Sequence, residues 1–307
     1  MSFPFEYDHG APLGFGGALP HPRSFDESRV VVLPVPVDRT TSYVPGTRNG
    51  PREILQASSH MELWDEELGV DIHGVGIFTL PEMELPFGEL APLMDEIRRI
   101  ASEILSRDKF LVTLGGEHSI TPALVAAAAT RFPGLTVLQI DAHADLRDSY
   151  MGSPLNHACA MRRSLEYAAV TQVGIRSMST EEARVAGSLD TTIFYDGTMR
   201  RDPEWIDRVV ETLKDPVYIT IDVDGMDPAI MPATGTPEPG GLSWYEMLAL
   251  LRATMTRRRV VACDVVELSP IPGLLAPNFL CAKLVYKMLT YRFGKEKASG
   301  SQLPVSS

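Results

Sequence analysis

The sequence has no apolar run approaching the roughly 20 residues of a membrane-spanning helix. Its N-terminus, with Phe3, Phe5 and Asp8 near Pro4 and Pro12, lacks the basic start and apolar core of a secretory signal, so a cytoplasmic location is expected. Cysteine is scarce. Cys159, Cys263 and Cys281 have no finger-type spacing and cannot all pair within one chain, so no disulfide framework is visible and a reducing compartment is expected. Positive charge is in deficit, with 28 Lys and Arg against 40 Asp and Glu and a formal net charge of -12. That balance disfavours nucleic acids and anionic membranes as partners and favours a cationic one. There is no GxxxxGK[ST] phosphate loop. Trp64, Trp205 and Trp244 are too isolated to make a stacking platform for single strands and read as core or interface residues. No Gly/Ser-rich linker, charge block or internal repeat divides the chain.

What is present is a chain of 307 residues, 44% hydrophobic, long enough for a sizeable core. Apolar runs predict strands over 29–37, where Pro34 and Pro36 are expected to end the strand, and over 75–78, 110–114 and 135–140. Further strands are predicted over 171–175, 192–195, 217–221 and 259–265. Helices are predicted after Pro51, over 90–106 through Leu93, Ile97, Ile100 and Ile104, over 123–131, and near 203–214 and 243–252. Ser243 and Glu246 have the offset of a capping box. Strands alternating with helices predict an α/β fold, a mostly parallel sheet covered on both faces. One domain over 1–307 is expected, with 1–28 as an arm laid over the domain or over a neighbouring subunit.

Three strand ends carry chemistry: LGGEHS at 114–119, DAHAD at 141–145 and DVD at 222–224. Open α/β sheets place their ligands at such ends. In extended chain, residues i and i+2 share a side, so Asp141 with His143, and Asp222 with Asp224, are expected to face one site, with Asp145 joining if the chain stays extended. Together with His118 these supply four carboxylates and two imidazoles, enough to hold two metal ions with shared ligands. Mixed nitrogen and oxygen ligation without thiolate suits Mn, Fe or Zn better than a calcium cage, and the carboxylate excess tilts the choice to Mn. Gly115 and Gly116 have two readings, a tight turn or a close backbone approach to the ligands.

The segments GGEHS, DAHADLRD, HACAMRR, IDVDGMDP and DVVELSP, in this order between residues 115 and 270, resemble the ureohydrolase family of arginases, agmatinases and related amidinohydrolases. A weaker likeness extends upstream through PGTRNGP at 45–51. The resemblance implies a three-layer α/β/α fold around a parallel eight-stranded sheet, two Mn(II) ions per subunit, and a homo-oligomer, often a trimer or hexamer. It implies one ion held by His118, Asp141, Asp145 and Asp222, and the other by Asp141, His143, Asp222 and Asp224, with Asp141 and Asp222 bridging. It also implies hydrolysis of a guanidinium group to urea and an amine by hydroxide generated between the metals. Asp145 would relay the proton, Glu267 would pair with the guanidinium NH groups, and His157 would shuttle the final proton or orient the amine. Cys159 reads as packing rather than as a nucleophile.

Four ligand carboxylates, hydroxide and Glu267 outweigh two divalent ions, so the site should attract cations. The loop at 146–156, LRDSYMGSPLN, resembles the agmatinase branch more than the arginases, with Ser153 and Asn156 keeping polar capacity towards the substrate. Agmatine, cleaved to putrescine and urea for polyamine synthesis, is therefore the expected substrate. The alternatives are another guanidino compound such as 4-guanidinobutyrate or arginine, whose carboxylate Arg147, Arg162 or Arg163 would have to meet. More distant are a binuclear hydrolase of other substrates and a noncatalytic binding or assembly protein.

Overall fold

Runs of Val, Ile and Leu bounded by Gly, Pro and polar residues form the strands, and the intervening amphipathic segments form helices that cover them. The computed structural model describes residues 13–17, 24–85 and 87–298. The strands are β1 (Val30–Val35), β2 (Trp64–Asp65), β3 (Val70–Asp71), β4 (Ile77–Thr79), β5 (Phe110–Gly115), β6 (Thr136–Ile140), β7 (Ala169–Ile175), β8 (Thr191–Tyr195), β9 (Val217–Asp222) and β10 (Val260–Val266). The helices are α1 (Gly50–Ser58), α2 (Leu90–Ser106), α3 (Thr121–Arg131), α4 (Ala160–Ser164), α5 (Thr180–Val185), α6 (Asp196–Met199), α7 (Trp205–Thr212), α8 (Trp244–Arg257) and α9 (Ala276–Ala298).

Eight strands make one sheet in the order β4-β1-β5-β10-β9-β6-β7-β8, and every neighbouring pair is parallel. A strand buried on both faces has no solvated side, which is why most of these segments read as largely apolar runs. Buried polar residues such as Gln139, Gln172, Thr220 and Asp264 interrupt them, and β8 at the sheet edge is only partly buried. Alternate residues of β1 feed two separate cores. Val30 and Val32 join the residues of α1, α7, α8 and α9, whereas Val31, Leu33 and Val35 join those of α2 and α3. The result is the three-layer α/β/α fold. Each fully buried Val, Leu or Ile adds about 1.5–3 kcal/mol of hydrophobic stabilisation before entropy is counted.

Pro34 does not end β1; it pairs with Leu114 of β5 and the strand runs on to Val35. Its missing N–H lies on the β4 side, as shown by the bonds from Val30 N to Gly76 O and from Met83 N to Pro34 O, and β4 has already ended at Thr79. No ladder bond is lost there.

The expected capping box of α8 is present in full between Ser243 and Glu246. Not foreseen were the small β2–β3 hairpin, the short helices α4, α5 and α6, and α9, at 23 residues the longest helix described. The run from Cys281 to Tyr291 is buried at nearly every position, including Lys287, which ion-pairs with Asp65 at 2.9 Å. A helix enclosed all round shows no polar stripe to betray its period.

Residues 1–12 and 18–23 of the expected arm lie outside the described residues. Within the rest of it, Phe15 is buried and its N–H donates to Thr79 Oγ1, while Phe25 meets Phe78 edge-on at 5.7 Å. These described parts pack on this chain's own sheet. Among the described residues, no helix is long and apolar enough to cross a membrane.

Candidate metal centre and active site

Because all eight strands of the sheet are parallel, their C-terminal ends share one edge. The four motif-bearing strands β5, β10, β9 and β6 are contiguous at its middle, although other elements separate them in the chain. His118 follows β5, Asp141 follows β6, Asp222 closes β9 and Glu267 follows β10. Backbones close up tightly here: a Cβ on Gly116 would lie 1.8 Å from Val37 O, and one on Gly115 would strike the Val266 and Ile120 side chains. Neither glycine has a positive φ. Their need is for close approach, but to neighbouring backbone and core rather than to ligands.

Strand alternation is not what gathers the acids. β6 stops before Asp141, and Asp145 takes a left-handed backbone with φ 54°. After β9 the chain makes a tight turn in which Asp224 N donates to Asp222 Oδ1 at 2.9 Å. Glu267 is likewise left-handed, with φ 66°. Such conformations cost about 1–3 kcal/mol each in a residue with a side chain, and they cluster where function holds them.

The inner half of the site centres on His118. Its Nδ1 stands 3.2 Å from Asp141 Oδ2, 3.1 Å from Asp145 Oδ2 and 3.5 Å from Asp222 Oδ2. On the other side of the ring, Nε2 lies 2.9 Å from Thr220 Oγ1, whose single hydrogen goes to Asp264 Oδ1 at 2.6 Å. Nε2 must therefore be the donor. Tyr218 and Thr121 also donate to Asp264 Oδ2. In the neutral ring the Nδ1 lone pair then points at three carboxylates, and this buried atom has no hydrogen-bond partner. An acceptor among acceptors calls for a cation. Burial alone would keep His118 neutral, but the carboxylates of Asp141, Asp145 and Asp222 push its pKa well above the ordinary range, an effect a metal ion would replace.

The outer half centres on His143, whose Nδ1 is 3.0 Å from Asp224 Oδ2 and 3.6 Å from Asp141 Oδ1. Burial opposes its charge, yet Asp224 and Asp141 push its pKa up to about 12. Asp141 thus turns one oxygen to each histidine. Burial would raise its pKa, but the two histidines hold it below the carboxylate range. Two groups with ligand atoms gathered closely enough for a metal result, His118–Asp141–Asp145 and Asp141–His143–Asp224. Asp222 approaches the first without meeting the same spacing throughout. The donor set, oxygen-rich with two imidazoles and an orphaned buried nitrogen, fits a pair of divalent ions.

Above these groups lies a cavity of about 240 Å³ lined by His143, Asp145, His157, Asp222, Thr236 and Glu267, among others. Glu267 Oε1 accepts from His118 N–H at 2.6 Å, and burial, then Glu117, pushes its carboxyl well above the usual range. His157 reaches the cavity, with its ring edge-on to Tyr150 at 6.4 Å. Ser153 and Asn156 do not line this cavity. Ser153 Oγ accepts from Leu155 N, and Asn156 Oδ1 accepts from Ala158 N, so both side chains serve the turn that presents His157. Arg147 does line it, stacked over Tyr150 at 4.5 Å with its Nε 3.7 Å from Glu182. Arg162 and Arg163 instead pair with Asp148. Cys159 is buried behind the loop, its thiol pushed up to about 11 by burial, then Asp145.

Sequence reasoning passed over Glu117, Thr40, Ser42 and Thr220. Glu117 is fully buried and accepts from Arg39 N, Thr40 N, Thr40 Oγ1 and Ser119 Oγ. It sits inside the GGEHS motif, which was the available signal. The hydroxyls carried none.

The arginase family profile matches residues 28–290. N(1)-aminopropylagmatine ureohydrolase of Synechocystis sp. is 40% identical over 277 residues, 87% of this chain and 90% of the relative. Agmatinase of Bacillus cereus is 36% identical, across 82% of this chain and 87% of its own. The agmatine ureohydrolase structure from Thermoplasma volcanium superposes with a TM-score of 0.84 at 32% identity, covering 94% of this chain and 97% of that one. With two histidine–carboxylate clusters sharing an aspartate at the centre of a parallel sheet, and with likeness of this extent in sequence and in fold, the chain belongs to the arginase family.

Proposed function

We propose that the chain hydrolyses the guanidino group of a small, multiply cationic amine to urea and the free amine, taking N(1)-aminopropylagmatine ahead of agmatine. Asp141 carries the reading: its two oxygens face separate histidine–carboxylate clusters beneath one cavity, as ions sharing a ligand require. The agmatine expectation gives way to the longer amine because the Synechocystis relative, at 40% identity, stands above the Bacillus agmatinase at 36%. Glu238, 3.9 Å from His143 Nε2 and partly exposed, adds negative charge beside the outer histidine, which favours a cationic substrate.

His118, Asp141, Asp145 and Asp222 would hold one ion and Asp141, His143, Asp222 and Asp224 the other, with Mn(II) the best match to so many oxygens. When bound, such a pair acidifies water enough to make a hydroxide nucleophile available at neutral pH. The side chains supply the rest. Glu267 accepts hydrogen bonds from the guanidinium and turns its planar carbon towards the cluster, a charge-assisted contact that also fixes orientation. Asp145, beside His118 and on the cavity wall, is placed to take a proton from the nucleophile and deliver it to the leaving nitrogen. His157, on the cavity wall, passes a proton to the departing amine or orients it.

One observation favours a second reading: Arg147 lines the cavity and offers a cation to a guanidino acid such as 4-guanidinobutyrate. Its charge already faces Glu182 and its face is stacked on Tyr150, so a cationic tail remains the better fit. The test is urea release by Mn-loaded protein from N(1)-aminopropylagmatine, agmatine, arginine and 4-guanidinobutyrate, compared as kcat/KM beside a metal-free control. The first two should lead in that order. Preference for either acid would overturn the distal-end reading, and no urea from any of them would overturn the reaction.

A further inference from the structure

We infer that Thr40 is a positioning residue for His157: its hydroxyl, anchored on buried Glu117, holds the imidazole in the tautomer with hydrogen on Nδ1 and the Nε2 lone pair free on the other side. The inference rests on the role proposed above for His157.

A threonine hydroxyl has one hydrogen to give and two lone pairs to accept with. Thr40 Oγ1 lies 2.8 Å from Glu117 Oε1, and the same carboxylate takes Ser119 Oγ at 2.6 Å, Arg39 N at 2.6 Å and Thr40 N at 2.7 Å. Glu117 receives from every one of these neighbours, so the hydroxyl hydrogen of Thr40 is directed to it. That leaves Thr40 Oγ1 only as an acceptor towards His157, which it meets twice: from the His157 backbone N–H at 3.0 Å and at Nδ1 at 3.2 Å. With Nδ1 unprotonated, two lone pairs would face each other across 3.2 Å. Nδ1 must carry the hydrogen. Nε2 is then turned the other way, towards Ser42 Oγ at 3.4 Å.

The segment that carries Thr40 is itself braced. Asp38 accepts from Thr41 Oγ1 at 3.0 Å and from Gly46 N at 2.9 Å, and Arg48 pairs with it at 3.3 Å. Thr40 therefore reaches across 117 residues of sequence to His157 from a loop with little freedom to shift. A histidine held by its backbone N–H and by one ring nitrogen at a single oxygen has both its position and its tautomer specified, and a proton shuttle must take up and hand on its proton at the same free nitrogen, here Nε2.

The test compares Thr40→Val, Thr40→Ser and His157→Asn, singly and as the double variant Thr40→Val/His157→Asn, in Mn-loaded full-length protein. Thr40→Val should lower kcat about 10–100-fold, the scale of other oriented-histidine losses, with KM changed less than about 3-fold. Thr40→Ser should return kcat to within about 3-fold of the parent, since it keeps the hydroxyl. In the His157→Asn background, Thr40→Val should cost almost nothing more, because the group it positions is gone. A full additional loss in that background would overturn the inference in favour of a general role in loop packing, as would failure of Ser to rescue. Nitrogen NMR of zinc-loaded, 15N-histidine-labelled protein reads the tautomer without reference to turnover: a protonated Nδ1 at His157 is expected in the parent and its loss in Thr40→Val. A protonated Nε2 with bare Nδ1 in the parent would overturn it. If His157→Asn leaves kcat unchanged, the proposed part of His157 in the reaction fails, while the tautomer assignment still stands or falls on the NMR result.

Discussion

The two halves of the candidate metal centre use the same side-chain types and are built differently. His118 is fully buried, and its far nitrogen is tied through Thr220 to Asp264, an acid that three hydroxyls satisfy from within the sheet and the start of α3. His143 is a quarter exposed beyond the end of β6, where its backbone is held by an isolated bridge to Ser177, and among the described residues its far nitrogen faces Glu238 at 3.9 Å rather than a buried network. A ligand ring braced by a buried network loses little freedom on binding an ion, whereas one whose far nitrogen has no close partner must be oriented by it. The inner position should hold its ion more tightly than the outer one.

Asp141→Asn removes the group common to both halves. It should abolish double loading and lower urea formation by well over about 100-fold, beyond what the loss of an outer hydrogen-bond partner costs. Metal analysis of the dialysed protein beside the urea assay checks this. His143→Asn should still retain about one ion per chain after dialysis, but His118→Asn should retain neither, since the shared carboxylates that would hold the outer ion lose the inner ion that helps to order them. Equal retention in the two variants would break the comparison. Thr220→Val should weaken the tighter ion about 10–100-fold. Thr236→Val, which loses only a 3.4 Å contact to Asp224, should change either affinity by less than about 3-fold.

The smallest expected effect concerns the metal-stripped protein. Asp222 is held well above its ordinary pKa by burial, then by Asp224 and Asp141, and Glu267 by burial, then by Glu117. The folded state therefore binds protons that the unfolded state has released, and stability falls as pH rises above the ordinary carboxylate range. His143, pushed up to about 12, has the same sign: its contribution is complete below its unfolded value of 6.5 and is lost as pH rises towards the folded one. Asp141, held low, contributes only a loss in strong acid. The melting temperature of stripped protein should fall by a few degrees between about pH 5 and pH 9, and metal loading should flatten the slope. A rise over that interval would show that the carboxylates are not crowded as described.

Much of the fold was legible because parallel strands leave a simple trace. Each strand of the main sheet is a short apolar run near its expected place, and even the capping box of α8 stands in the letters Ser243 and Glu246. α9 left no such trace because burial on all sides removes the polar face by which a helix is recognised, and Pro34 misled because only the end of β4 makes its missing N–H harmless. At the site, the ligand types were legible but their arrangement was not. Asp145 reaches the cluster through a left-handed backbone that no alternation rule describes.

Composition and local pattern therefore determined the layers of the fold and most of the chemical repertoire of one strand edge, two histidines and four aspartates in segments bound to end strands, while Glu267 came from the family resemblance of DVVELSP. Only the tertiary structure decided which of those strands are neighbours, that Asp141 turns one oxygen to each histidine, and that Thr220 and Thr40 orient His118 and His157. The physical reason is that apolar periodicity is a property of adjacent residues. A hydroxyl or carboxylate, in contrast, acquires its role from the donors and acceptors facing it, and across a sheet these come from distant parts of the chain.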